Sequence, residues 1–175
     1  MSPMLIKFIS VAIMNFTAIL ITKKVLNYKN KILSLKTLIW YIISMIPTAI
    51  FYTADYDFTT FLTFLTLILC LKNIFDMNIL VSFIITLYAM VISAFFDLIP
   101  GVITVNFSSL EQMRTNPKIM FMTNLIIATL TYFCFCIPIV RKIVNESIER
   151  LQKPKNRKII IFCLFGYIAI GITFY

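Results

Sequence analysis

Histidine is absent from this 175-residue chain, and that limits its chemistry more than any residue it contains. Without an imidazole there is no Ser-His-Asp or Cys-His nucleophile pair, no phospho-accepting histidine and none of the usual zinc sites. The four cysteines, Cys70, Cys134, Cys136 and Cys163, all lie inside apolar runs. Cys134 and Cys136 are two apart, so a helix points them to different faces. They read as small buried apolar residues rather than disulfide partners or metal ligands. Only 3 glycines are present, too few for a phosphate-cradling loop. No catalytic, metal-binding or cofactor-binding residues are therefore expected, and the chain reads as a non-enzyme.

The acidic side chains are the remaining candidates. Asp55 and Asp57 sit among Phe51, Tyr52, Tyr56 and Phe58, and Glu111 lies in a polar stretch further on. Aromatic residues of this kind form either an interfacial belt or the docking rim for an external ligand. Asp97 differs, because it ends an apolar run in which Ser82, Thr86, Ala89 and Ser93 precede it at helical spacing. A carboxylate within a membrane-spanning segment is costly and is a functional candidate by default. Lys7 is its expected partner. Asp55, Tyr56, Asp57, Phe58, Asp97 and Glu111 are thus the expected ligand-binding residues, with interfacial anchoring as the alternative.

These residues need elements to hold them, and composition says which. The chain is 61% hydrophobic and 13% charged, against roughly 45–50% and 25% in soluble domains. Its mean hydropathy is +0.95. So much apolar surface cannot be hidden in one globular core of this size, and lipid is its natural solvent. Six apolar stretches stand out: residues 4–21, 35–52, 58–75, 79–99, 119–140 and 159–175. A bilayer core takes about 20 helical residues. The expected fold is an all-α, polytopic transmembrane bundle of about six spans in a single domain.

Local signals place the helix ends. Ser2-Pro3 and Asn116-Pro117 each offer a cap and a first-turn proline. Asn78 precedes the fourth stretch and Pro100-Gly101 is expected to end it. Pro47 and Pro138 fall inside spans, where each removes a backbone hydrogen bond and bends its helix. Ser108-Ser109-Leu110-Glu111 fits a capping box and predicts a short interfacial helix. Small and polar stripes recur at helical spacing: Asn15, Ala18 and Thr22; Thr59, Thr63, Thr66 and Cys70; Asn124, Ala128 and Thr131; Gly166, Ala169 and Thr173. Lipid gives no reason to turn such residues outward, so they read as helix–helix contacts. The functional alternative is a shared polar cleft.

Charge sets orientation. The net charge of +9 comes from 16 basic and 7 acidic residues. In a soluble protein it would suggest nucleic acid, but here the basic residues cluster between apolar stretches. Thirteen of them fall at residues 23–36, Lys72 and 141–158. Those loops belong in the cytoplasm by the positive-inside rule. Six spans then leave both termini outside, and the first helix reads as a retained anchor rather than a cleaved signal peptide.

The second to fourth stretches carry a resemblance. LKTLIWYIISMIPTAIFYT, a short acidic turn, and FTTFLTFLTLILCLKNIFDMNILVSFIITLYAMVISAFFDLI resemble the membrane sensor region of peptide-responsive quorum-sensing histidine kinases. The accessory gene regulator type of low-GC Gram-positive bacteria is the most similar. The likeness covers roughly residues 30–100 and lies in hydrophobicity and punctuation, including a basic inner loop and an inner turn of K-x-I-F style. It implies a ligand-sensing domain of a two-component signalling system in a bacterial plasma membrane. Its implied partners are the lipid bilayer, an extracellular peptide and a second copy of the chain. Such kinases continue into a phospho-accepting histidine and an ATP-binding domain, whereas this chain lacks both and so reads as a truncated sensor. A peptide-processing membrane peptidase would need a Cys-His pair. A small transport or accessory subunit is the alternative.

The orientation can be measured. Single cysteines introduced at Asn30 or Asn156 are expected to resist a membrane-impermeant thiol reagent in intact cells and to label after permeabilisation. Rapid labelling of intact cells would reverse the assignment.

Overall fold

The structure, a computed structural model, describes residues 3–28, 34–50, 56–105 and 117–153. Among them are six helices and no strand: α1 (Pro3–Val25), α2 (Leu35–Ile50), α3 (Tyr56–Phe75), α4 (Ile79–Val105), α5 (Pro117–Cys136) and α6 (Pro138–Gln152). The sixth apolar stretch, 159–175, and the expected capping box at 108–111 lie outside the described residues. The regular structure of the described residues is all α-helix. Two segments are long and apolar enough to cross a membrane, Phe8–Val25 of α1 and Ile79–Leu98 of α4, and a third if the bent pair α5–α6 counts as one span. Leu35–Ile50 and the Phe61–Phe75 part of α3 are shorter apolar helices.

Turn chemistry fixes the connections. Asn27 and Asp76 follow α1 and α3 in the left-handed region, with φ of 50° and 51°. Asn and Asp tolerate that region better than other side chains. After α1 the N–H of Tyr28 donates to the carbonyl of Lys23 at 3.0 Å, and after α3 that of Met77 donates to Lys72 at 3.1 Å. Each is the wrap-around bond of a Schellman cap. Asn78 then caps α4, its Oδ1 accepting from the N–H of Leu80 at 3.0 Å. The Ser34 hydroxyl does the same for α2, accepting from Thr37 at 3.2 Å.

Two proline expectations are corrected. Pro100-Gly101 does not end the fourth helix, which runs on to Val105. Proline removes one intrahelical bond, and an apolar helix can absorb that loss. The stretch 119–140 is not one bent helix. It stops at Cys136, and Pro138 is the first residue of a new helix turned by 78°. Ile137 between them is extended, with φ −68° and ψ 124°, because a residue preceding proline is sterically driven from the helical region. Pro47, by contrast, lies within a continuous α2.

α1 is the hub and packs against all five other helices. α3 and α4 form an antiparallel hairpin in which Phe64 and Ile68 meet Leu80 and Phe83. A larger cluster joins Ile21 and Val25 of α1, Val81, Ile84 and Ile85 of α4, Phe135 of α5, and Val144 and Ile148 of α6. The outward surface is apolar as well. Leu38, Ile42, Ile46 and Ile50 make an exposed stripe along α2, and Val91, Phe95 and Leu98 one along α4. Water-soluble monomers avoid such surfaces, so this is a membrane-associated architecture.

The stripe Ser82, Thr86 and Ala89 does face protein. Ser82 is fully buried and its hydroxyl donates to the carbonyl of Ile68 across the α3–α4 crossing. Ser82→Leu is expected to destabilise the fold by roughly 1–3 kcal/mol through overpacking. The exposed change Leu87→Ile should leave the thermal midpoint in detergent nearly unchanged. Equal midpoints for the two variants would contradict the close crossing.

Candidate functional site

Four helices contribute their small and polar faces to one cavity of about 370 Å³. α1 supplies Ser10, Asn15, Thr17 and Ala18; α4 supplies Thr86, Ala89, Ser93 and Asp97. Thr63 comes from α3, and Asn124 and Thr131 from α5, while Val11, Met14, Ile21, Phe64, Leu67, Met90, Ala94 and Ile127 complete the wall. The spacing that places Thr86, Ala89, Ser93 and Asp97 on one face of α4 is the helical repeat itself. From Thr86 to Asp97 that face extends roughly 16 Å at 1.5 Å per residue. A mostly apolar concavity with a few convergent polar groups is the usual form of a ligand site.

Some of the polar groups hold the walls. The amide nitrogen of Asn15 donates to the hydroxyl of Ser44 at 3.0 Å and to its carbonyl at 3.3 Å. Asn124 donates to the Ser10 hydroxyl at 2.8 Å. The hydroxyls of Thr17 and Thr86 donate to carbonyls one turn back, at 2.8 Å each. Thr131 is the exception. It is 2% exposed, and its Oγ1 has no hydrogen-bond partner among the described residues. A buried unsatisfied hydroxyl costs roughly 1–3 kcal/mol, so the wall of the cavity carries an unmet polar group.

Among the described residues Asp97 is the sole charged side chain of the lining, and it is exposed. It makes no ion pair among the described residues, and the side chain of its expected partner Lys7 lies outside them. Asp55 and Glu111 also lie outside the described residues. Tyr56, Asp57 and Phe58 form the first turn of α3, though their side chains are not among those described. The hairpin register, with Phe64 against Phe83 and the Ile68 carbonyl bonded to Ser82, levels that turn with Met90 to Ser93. Asp97 then sits about one to two turns, or ~6–10 Å, further along α4. The structure thus sets the backbone of Tyr56, Asp57 and Phe58 toward the same end of the bundle as Asp97 without gathering them at one point.

The hydroxyls, amides and carboxylate suit binding: they accept and donate hydrogen bonds and can balance a positive charge. No group of three or more potential metal ligands occurs among the described residues. Thr63, Thr86, Ser93, Asn124 and Thr131 were visible in the sequence as stripes, although packing was the expected use of most of them. Ser10 and Thr17 carried no signal, because Ser10 meets Asn124 across 114 residues. The sequence matches no family model, no curated protein and no solved structure.

Thr131→Val removes the unpartnered hydroxyl while keeping the shape, so it is expected to leave the thermal midpoint of ligand-free protein unchanged or higher. Asn124→Leu, which breaks a formed bond to Ser10, should lower it. A clear fall with Thr131→Val would show that the hydroxyl is satisfied in the ligand-free protein.

Proposed function

We propose that the chain is the ligand-sensing domain of a membrane receptor, of the kind that precedes the catalytic module in peptide-responsive sensor histidine kinases. In this reading α2 and α3 also cross the bilayer, residues 159–175 supply a further span, and the basic end faces the cytoplasm of a bacterial cell. The carrying observation is the cavity between α1, α3, α4 and α5, apolar for most of its wall and ended by Asp97. An amphipathic peptide can lay apolar side chains on Phe64, Leu67 and Ile127 and bring a positive or donor group to Asp97. Tyr56, Asp57 and Phe58, with Asp55 and Glu111 beyond, would contact its outer part.

A sensor must also pass occupancy on, and α4 offers the means. Ala89 and Ile21 line the cavity and also pack in the cluster that holds α6. The Tyr88 hydroxyl bonds Ser147 of α6 at 2.8 Å. Movement of α4 on ligand entry therefore shifts the basic helix at the opposite end. A small transport subunit, the alternative, would use the same cavity to carry its ligand across.

The test is ligand-dependent stabilisation of the reconstituted chain by a panel of hydrophobic peptides with and without a basic residue. Binding N alone raises stability by about 2.7 kcal/mol at a ligand concentration 100 times Kd. Ala89→Phe, which fills the cavity, should abolish that rise, and Asp97→Asn should weaken it for the basic peptides only. If both variants fold and keep the wild-type response, the cavity is not the site. Accumulation of peptide inside sealed vesicles would favour transport.

A further inference from the structure

α6 has a second surface that the cavity does not use. Its buried side, Val144 and Ile148, packs against α1, α4 and α5. The opposite side carries Ile139, Lys142, Ile143, Glu146 and Arg150, which follow i, i+3, i+4, i+7 and i+11 and so form one stripe. Ile139 and Ile143 are 69% and 50% exposed. These isoleucines occupy the half of the stripe next to α5, and Arg150 lies in the other half. The 78° turn after Cys136 sets α6 nearly at right angles to α5. If α5 crosses a bilayer, α6 lies along the membrane surface.

We infer that this edge of α6 binds the anionic phospholipid headgroups of the adjacent leaflet, with Ile139 and Ile143 inserted at the acyl boundary. Charge complementarity selects this occupant. The same end of the bundle gathers Lys23, Lys24, Lys36, Lys72, Arg141, Lys142, Arg150 and Lys153 against Asp76, Glu146 and Glu149. Glu146 does not neutralise the stripe. Its pairs with Lys142 and Arg150 are long, 4.0 and 3.8 Å, and all three side chains are solvent-accessible, where such pairs are worth little. A helix with basic residues beside exposed isoleucines is the form that binds an anionic leaflet through combined apolar insertion and electrostatic attraction. A neutral leaflet supplies only the first of these.

The experiment uses the full chain in vesicles of neutral phosphatidylcholine, with or without phosphatidylglycerol. With Cys70, Cys134, Cys136 and Cys163 replaced by Ala, a polarity-sensitive fluorophore is placed on Ile143→Cys or, on the opposite flank, Asn145→Cys. A blue shift at position 143 that is larger with phosphatidylglycerol, absent at position 145 and lost in K142Q/R150Q supports the proposal. Three results overturn it: a water-like signal at 143 in both vesicles, the same apolar signal in both vesicles and in detergent (a protein neighbour covering the face), or the same shift produced by inorganic phosphate in neutral vesicles. Native mass spectrometry of the unmodified chain gives an independent reading. Preferential retention of phosphatidylglycerol is expected, and equal retention of the two lipids counts against the site.

Discussion

A buried amide with nowhere else to go sets the arrangement of this bundle. Asn15 lies midway along α1 and is 2% exposed. Its two N–H groups must find acceptors inside the protein, because leaving them unmet costs roughly 1–3 kcal/mol. Ser44 of α2 is the partner, and the position is reinforced by the Tyr41 hydroxyl, which donates to the carbonyl of Ala12 at 3.0 Å. These contacts lock the register of α1 against α2. On the other flank of α1, Ser10 receives Asn124 and locks α5. Each such bond between apolar helices is worth only about 0.6–2 kcal/mol. Their effect is selective rather than large, since sliding α1 by one residue breaks both at once.

The cavity follows from how residue size is distributed along these locked helices. At the basic end the facing side chains are large: Ile21, Ile84, Ile85 and Phe135 fill the interior and are buried to within 2%. One or two turns further along, the facing positions become Ala18, Ala89, Ser93, Ala94 and Thr131. Helix axes held apart by the large residues at one end cannot close over the small ones at the other. The space left is lined by small and polar side chains, with Asp97 among them.

Much of this was legible in the sequence, for identifiable reasons. Helix existence follows from apolar run length, and five of the six expected stretches correspond to described helices. Asn78 as a cap was readable because turn chemistry is local. The Asp97 stripe was readable because helical spacing is. The two misjudged prolines show the limit. Pro100 and Pro138 have the same local chemistry, yet one is absorbed within α4 and the other starts α6. What differs lies beyond the local signal: the chain after Pro138 turns charged within four residues, at Arg141 and Lys142, while that after Pro100 continues Gly101-Val102-Ile103. The convergence of stripes on a cavity could not be read, because it depends on distant contacts such as Ser10 meeting Asn124.

The turn at Ile137 is what makes the two ends of the molecule one system. A straight continuation would carry Arg141, Lys142, Glu146, Glu149 and Arg150 onward along the axis of α5, in a rod of ~50 Å against a hydrocarbon core of ~30 Å. Turning instead brings Val144 and Ile148 back onto α4, where they pack against the same cluster that contains Ile21. Ile21 and Ala89 therefore belong both to the wall of the cavity and to the seat of α6. Close-packed interiors transmit strain rather than absorb it. Val144 is fully buried in that cluster, so strain introduced at Ile21 or Ala89 would fall on the seat of α6.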